Sequence, residues 1–199
     1  MAYIFLETNK KDKILSAHQI NFDPLRTFRS KTQPDYNSGM TIFLDRGLRH
    51  MAWANQKVFG AIEGLSPEAL GSYIVNQEWS AYQIASHICK SSGFYCFRLG
   101  LSERPADLNE PVAISELKRM LSERDRILVG AAKLEDKELE FNRGGVIIKR
   151  WTSTIVTQAI HHATEHRAQL IDALESRGVT PINLDDIDLW AFDEFERNI

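Results

Sequence analysis

Residues 152–178 read TSTIVTQAIHHATEHRAQLIDALESRG. Ile155, Ala159, His162, His166, Leu170 and Ala173 recur there at spacings of three and four, the signature of one helix face. Gln169 is the alternative to Leu170 on that face. Thr152 or Ser153 can cap the first turn, Arg177 sits in the last, Gly178 can stop the helix and Pro181 follows. Two imidazoles therefore interrupt an otherwise apolar stripe.

Three more stretches carry the helical period. In residues 40–63 the face is Leu44, Leu48, Met51, Asn55, Val58 and Ile62, with Gly64 as a stop and Ser66-Pro67-Glu68 opening a short turn. Residues 80–99 begin with Ser80 and Gln83, the two ends of a capping box, and turn Ile84, His87, Ile88, Ser91 and Tyr95 inward. Residues 115–133 carry Leu117, Leu121, Leu128 and Ala131, with Arg124 breaking the stripe. Phe141-Asn142-Arg143-Gly144-Gly145 is a turn signal, and residues 146–151 read as a brief strand or an extended link. Four amphipathic helices with so little strand predict an all-α fold, a four-helix bundle.

A chain of 199 residues is one domain by default and long enough for a real core. The bundle is expected over residues 40–199. Residues 1–39 show no sustained period and carry six basic against four acidic side chains, so they read as an N-terminal extension: a disordered arm, an accessory element or a mis-assigned start before Met40. At the other end, Leu189, Trp190, Phe192 and Phe195 are expected to fold back onto the mouth of the bundle, because aromatics are costly to leave in water.

The formal net charge of −3 gives no electrostatic footprint for nucleic acid. No apolar run approaches the ~18 residues of a membrane span, so no membrane partner is expected. The N-terminus lacks a secretory pattern, and Cys89 and Cys96 stand too far apart on a helix to bridge. A reducing, cytoplasmic setting with two inert, packed thiols is the expectation.

His162 and His166 lie at i and i+4, where both rings can reach one metal ion at about 2.0–2.1 Å. Ala163 stands where a zinc protease would place its general-base Glu, so the string is not that motif. His87, on the inward face of another helix, is the natural third ligand. The competing reading is three hydrogen-bonded core histidines, although three buried rings each need a donor and an acceptor partner. At the level of spacing both readings stay open. Asn55, polar on an apolar face, is either a contact for a metal-bound water or an ordinary buried hydrogen bond. Glu165 points about 100° from His166 and suits the surface. Arg167 is read as pairing with carboxylates or sitting at a helix interface, with anchoring of an anionic substrate as the lesser alternative. His50 and His161 are read as solvent-facing, and Trp53, Trp79 and Trp151 as packing residues.

Leu48-Arg49-His50-Met51-Ala52-Trp53-Ala54-Asn55, then Trp79-Ser80 with Ala85-Ser86-His87-Ile88, then His162-Ala163-Thr164-Glu165-His166-Arg167-Ala168-Gln169-Leu170 occur in that order. Together with the tail Leu184-Asp185 to Leu189-Trp190-Ala191, they make the chain resemble the DinB/YfiT-like superfamily of metal-binding bundles over about residues 40–192. Ala168 replaces the glycine frequent in the last helix of that group. The resemblance implies a four-helix bundle with a long crossover, a three-histidine site made of His87, His162 and His166, and often a homodimer. It implies a divalent ion, Ni, Zn or Fe, and two activities: transfer or isomerisation with a small-molecule thiol and an electrophile, or metal-assisted hydrolysis. The alternative is a non-catalytic metal-binding dimer of the stress response.

Overall fold

The computed structural model describes residues 39–106, 108 and 111–197, with side chains from Leu44 onward. The extension expected over residues 1–39 lies, apart from Gly39, outside the described residues. Four long helices build the fold: α1 (Gly39–Ile62), α3 (Ala81–Arg98), α4 (Ile114–Gly130) and α5 (Thr152–Glu175). Between α1 and α3 lies the single turn α2 (Pro67–Leu70), capped by Ser66, whose Oγ accepts from Ala69 N. A hairpin, β1 (Glu138–Arg143) and β2 (Val146–Trp151), joins α4 to α5, and α6 (Leu189–Arg197) closes the chain.

The core divides into two ends. Phe59 and Ile62 of α1 share one end with Ile84 of α3, Leu117 of α4 and Leu174 of α5. Leu48 and Met51 share the other end with Cys96, Leu128 and Val156. The chain thus runs one way in α1, back in α3, back again in α4, and forward in α5. Two successive helices in the same direction require a return path along the bundle, the long crossover expected above. The described residues between α3 and α4 supply it, and Val112 among them is tied to α3. Tyr82 Oη accepts from Val112 N at 2.7 Å and donates to Val112 O at 3.1 Å. Each of α4 and α5 packs on both α1 and α3, so the α3–α5 seam and the α1–α4 seam lie on opposite faces.

Helix ends follow the local chemistry. The Ser80–Gln83 capping box forms at the start of α3. The cap of α5 differs from expectation: Trp151 is the N-cap residue and no side chain of the helix caps it. Asp136, ahead of the hairpin, takes that role, accepting from Ser153 N at 2.9 Å and from Ser153 Oγ at 3.0 Å. A carboxylate suits the positive end of a helix, which explains why a residue outside the helix replaces the expected hydroxyl. Gly178, with φ of 74°, ends α5 in the left-handed region.

The extended stretch at 146–151 pairs with a second strand the spacing did not announce, in register Arg143↔Val146 across Gly144 and Gly145. Both glycines have positive φ, 60° and 86°, as a two-residue turn of this hand requires. Leu139 and Phe141 of β1 turn inward onto the core.

Two expectations need correction. His50 is not solvent-facing: it is buried, with Nε2 2.8 Å from Ile187 O and its ring against Phe192. The tail covers it, and covers the side of α1 rather than the mouth of the bundle. Phe192 is buried there and Phe195 leans on Trp53, but Leu189 and Trp190 remain exposed on the outer face of α6. Among the described residues no helix is long and apolar enough to cross a membrane.

Candidate metal centre

The capping box fixes where α3 begins, and about two turns in, α3 presents His87 to the seam with α5. From α5 come His162 and His166, one above the other. The three rings converge. His162 Nε2 lies 3.0 Å from His87 Nε2 and 3.1 Å from His166 Nε2. Nitrogens each about 2.05 Å from one ion would stand about 2.9 Å apart at a right angle and about 3.4 Å apart at a tetrahedral one. The observed spacings fall inside that range, so the residues present fit a shared divalent ion.

The rings are also held in the right state. His166 Nδ1 donates to Gln169 Oε1 at 2.8 Å, and Trp79 Nε1 donates to the same oxygen at 3.2 Å. With Nδ1 protonated, a neutral His166 keeps its Nε2 lone pair free for the cluster. Trp79 packs its indole in T-shaped contacts with His87 and His166, at ring separations of 5.1 and 5.6 Å. Burial lowers the pKa of His87, helped by the charges of His166 and Lys90. Burial, then the two neighbouring rings, pushes His162 down to about 4. Both are therefore neutral near pH 7, as metal ligands must be.

Among the described residues no Cys, Asp or Glu joins this cluster. Both cysteines are buried and free, and burial pushes each thiol up to about 11. Three protein nitrogens leave a fourth coordination position for a ligand from outside, the pattern of catalytic zinc sites. A groove of about 360 Å³ opens beside His87, lined by Trp79, Tyr82, Ser86 and Lys90 among others. That size suits a small molecule.

Beneath the cluster runs a buried polar chain. Arg167, 2% exposed, donates from Nη1 to Asn55 Oδ1 at 2.8 Å and from Nη2 to Thr164 Oγ1 at 3.0 Å. Asn55 passes the contact on, donating from Nδ2 to Asp125 Oδ2 at 2.9 Å, and Ser92 Oγ donates to Asp125 Oδ1 at 3.3 Å. Asn55 thus bridges a buried cation and a buried carboxylate, and it also lines a small cavity shared with His162, Tyr95, Ser92 and Asp125. Burial raises the pKa of Asp125 to about 7 against the pull of these donors and of Arg167.

The structure brings together the three histidines singled out by spacing, places Asn55 one layer below them, and leaves His161 exposed. Arg167 lies at a helix interface, as read. Spacing missed Asp125, although it stands four residues after Leu121 and three before Leu128, on the apolar stripe of α4. It also missed the role of Gln169, whose signal is its position three residues after His166.

The model of the DinB family matches residues 40–194. No curated protein and no solved structure matches the chain.

Proposed function

The chain belongs to the DinB family, and from that premise we propose that it holds one divalent metal ion on His87, His162 and His166 and uses the open position for small-molecule chemistry. The observation that carries this reading is the meeting of three Nε2 atoms at 3.0 and 3.1 Å, from two helices. When bound, such an ion lowers the pKa of a water or thiol that it holds and polarises an electrophile. The reaction classes this serves are transfer to or from a small thiol, and hydrolysis.

The chain's own residues supply the rest. His87, His162 and His166 hold the ion. Gln169 fixes the His166 tautomer, and Trp79 buttresses two of the three rings. Trp79 and Tyr82 give the groove beside His87 an aromatic wall on which an apolar part of a substrate can lie. Neither cysteine serves as a nucleophile, since both thiols are buried and protonated at neutral pH.

Elemental analysis of the purified protein beside His87→Ala and His162→Ala tests the metal. One equivalent in the native protein and loss in both variants is expected; equal metal in all three refutes the reading. A panel of small thiols with electrophiles, and of hydrolysable esters and amides, then tests the chemistry. Bound metal without metal-dependent turnover would favour a non-catalytic binding protein.

A further inference from the structure

Asp125 is a wall between two spaces. On its inner side lies the cavity shared with Asn55, Ser92, Tyr95 and His162, about 10 Å³ in volume. That is close to the room one water needs, and the hydroxyl, amide and carboxylate around it provide the two or more polar partners a buried water requires. On its outer side lies a groove of about 370 Å³ between α1 and α4, lined by Ala52, Gln56, Ser122, Glu123 and Arg126 with Asp125 itself. Asp125 is only 2% exposed, so it forms the floor of that groove rather than part of its rim. Gln56 Nε2, in the wall of the same groove, is buried without a protein partner among the described residues.

We propose that Asp125 passes protons between the histidine cluster and the α1–α4 groove, an exit on the face opposite the groove beside His87. This rests on the metal reading of the site. A hydroxyl or thiol that arrives beside the three imidazoles becomes a nucleophile only by giving up its proton. The Nε2 atoms are turned toward one another and cannot take it. A water in the inner cavity accepts the proton and hands one of its own to a carboxylate oxygen of Asp125. The resulting carboxylic acid releases it to solvent in the outer groove, which restores the carboxylate. Only O–H or S–H bonds break and only O–H bonds form, and no electrons change hands.

The groups facing Asp125 allow this. From α5 come Arg167 and His162, from α3 Tyr95 and the protonated thiols of Cys89 and Cys96, and from its own helix Glu123, Arg124 and Arg126; α1 offers only the neutral amides of Asn55 and Gln56. A carboxyl held up to about 7 by burial can both accept and release a proton near neutrality.

The test uses the full-length chain loaded with cobalt(II), whose visible bands report protonation events at the cluster. The bands are followed after a rapid pH jump in the native protein, in Asp125→Asn, and in Ser122→Trp, which plugs the outer groove without touching the buried chain. Both variants are expected to relax at least about tenfold more slowly, with cobalt affinity within about twofold of native. Native rates in both variants overturn the proposal. Slowing in Asp125→Asn alone, with the plugged variant at the native rate, also overturns it, because the carboxylate would then act only as part of the core. If Asp125→Asn fails to fold, the plugged variant decides. Absence of cobalt bands sensitive to His162→Ala would instead refute the metal reading, and this proposal with it.

Discussion

His166 donates its Nδ1 hydrogen to Gln169 Oε1 at 2.8 Å, and one turn of α5 thereby sets which nitrogen of the ring faces the cluster. The partner of a ligand histidine shapes metal affinity nearly as strongly as the ligand itself. Gln169→Leu keeps the volume and removes the acceptor. Metal affinity should fall by about 10- to 100-fold, measured by competition with a chromophoric chelator, while the fold is kept. Unchanged affinity would mean that the ring is held by packing against Trp79 alone.

Acid should unload the site, and base should not. His162, at about 4, and His87, also lowered, are neutral throughout the neutral range. Bound metal should therefore stay level from about pH 8 to 6.5 and decline below that, as protons compete for the imidazoles. For the metal-free protein the sign is the same. A folded-state pKa below the unfolded value near 6.5 means that the unfolded chain binds more protons, so what these two rings contribute to stability is lost as pH falls below 6.5. Thermal melts across pH with and without chelator check both statements.

The Arg167–Asn55–Asp125 chain should behave as one unit. Arg167→Met leaves Asp125 buried without its cation and should cost roughly 3–5 kcal/mol in denaturant unfolding. Adding Asp125→Leu removes the stranded carboxylate, and the double variant should recover much of that loss. Simple additivity of the two changes would show that the residues are not coupled. Asp125 also carries its own pH signature. Its folded value near 7 lies above the ordinary 3.8, so its own contribution to stability falls as pH rises from about 4 to 7, opposite in sign to that of the two histidines, and Asp125→Asn should remove that component.

Gly93 is a packing glycine. A Cβ there would lie 3.0 Å from Arg124 Nε and 3.1 Å from its Cζ, with Pro105 Cβ at 3.3 Å. Arg124 has little freedom to withdraw, since its Nη1 donates to Cys89 O at 2.8 Å. Gly93→Ala gains helix propensity but overpacks this contact. A net loss of about 1–2 kcal/mol is expected in thermal unfolding.

The C-terminal helix should be held by its aromatic rather than by its charges. Arg46 and Arg49 of α1 pair with Asp193 and Glu196, but these are partly exposed pairs, weak and screened by salt. Phe192 is buried against His50 and Trp53. Phe192→Ala should open residues 184–188 to limited proteolysis, whereas molar salt on the native protein should not. Cleavage induced by salt alone would reverse that ranking.

What could be read in the chain, and what could not, has physical causes. His162 and His166 sit on a long, strongly periodic helix, and His87 on a helix marked by a capping box, so their faces were legible. Asp125 was not, because Arg124 breaks the spacing of the stripe while its neighbour, the carboxylate, fills the inward position. His50 was misread because its cover, Ile187 and Phe192, arrives from the far end of the chain. Strand β1 was missed because six residues alternating Glu138, Leu139, Glu140 and Phe141 bury only one face, and only partly.

The hairpin between α4 and α5 places Gly144 and Gly145 at a natural seam of the molecule. Cutting the chain there would leave one imidazole of the cluster on a large three-helix fragment and two on a small one. Neither piece could chelate an ion with three rings, yet together they own a complete set. On the metal reading, a shared ion would add a clasp to the apolar packing of Val156, Leu170 and Leu174 that already draws the halves together.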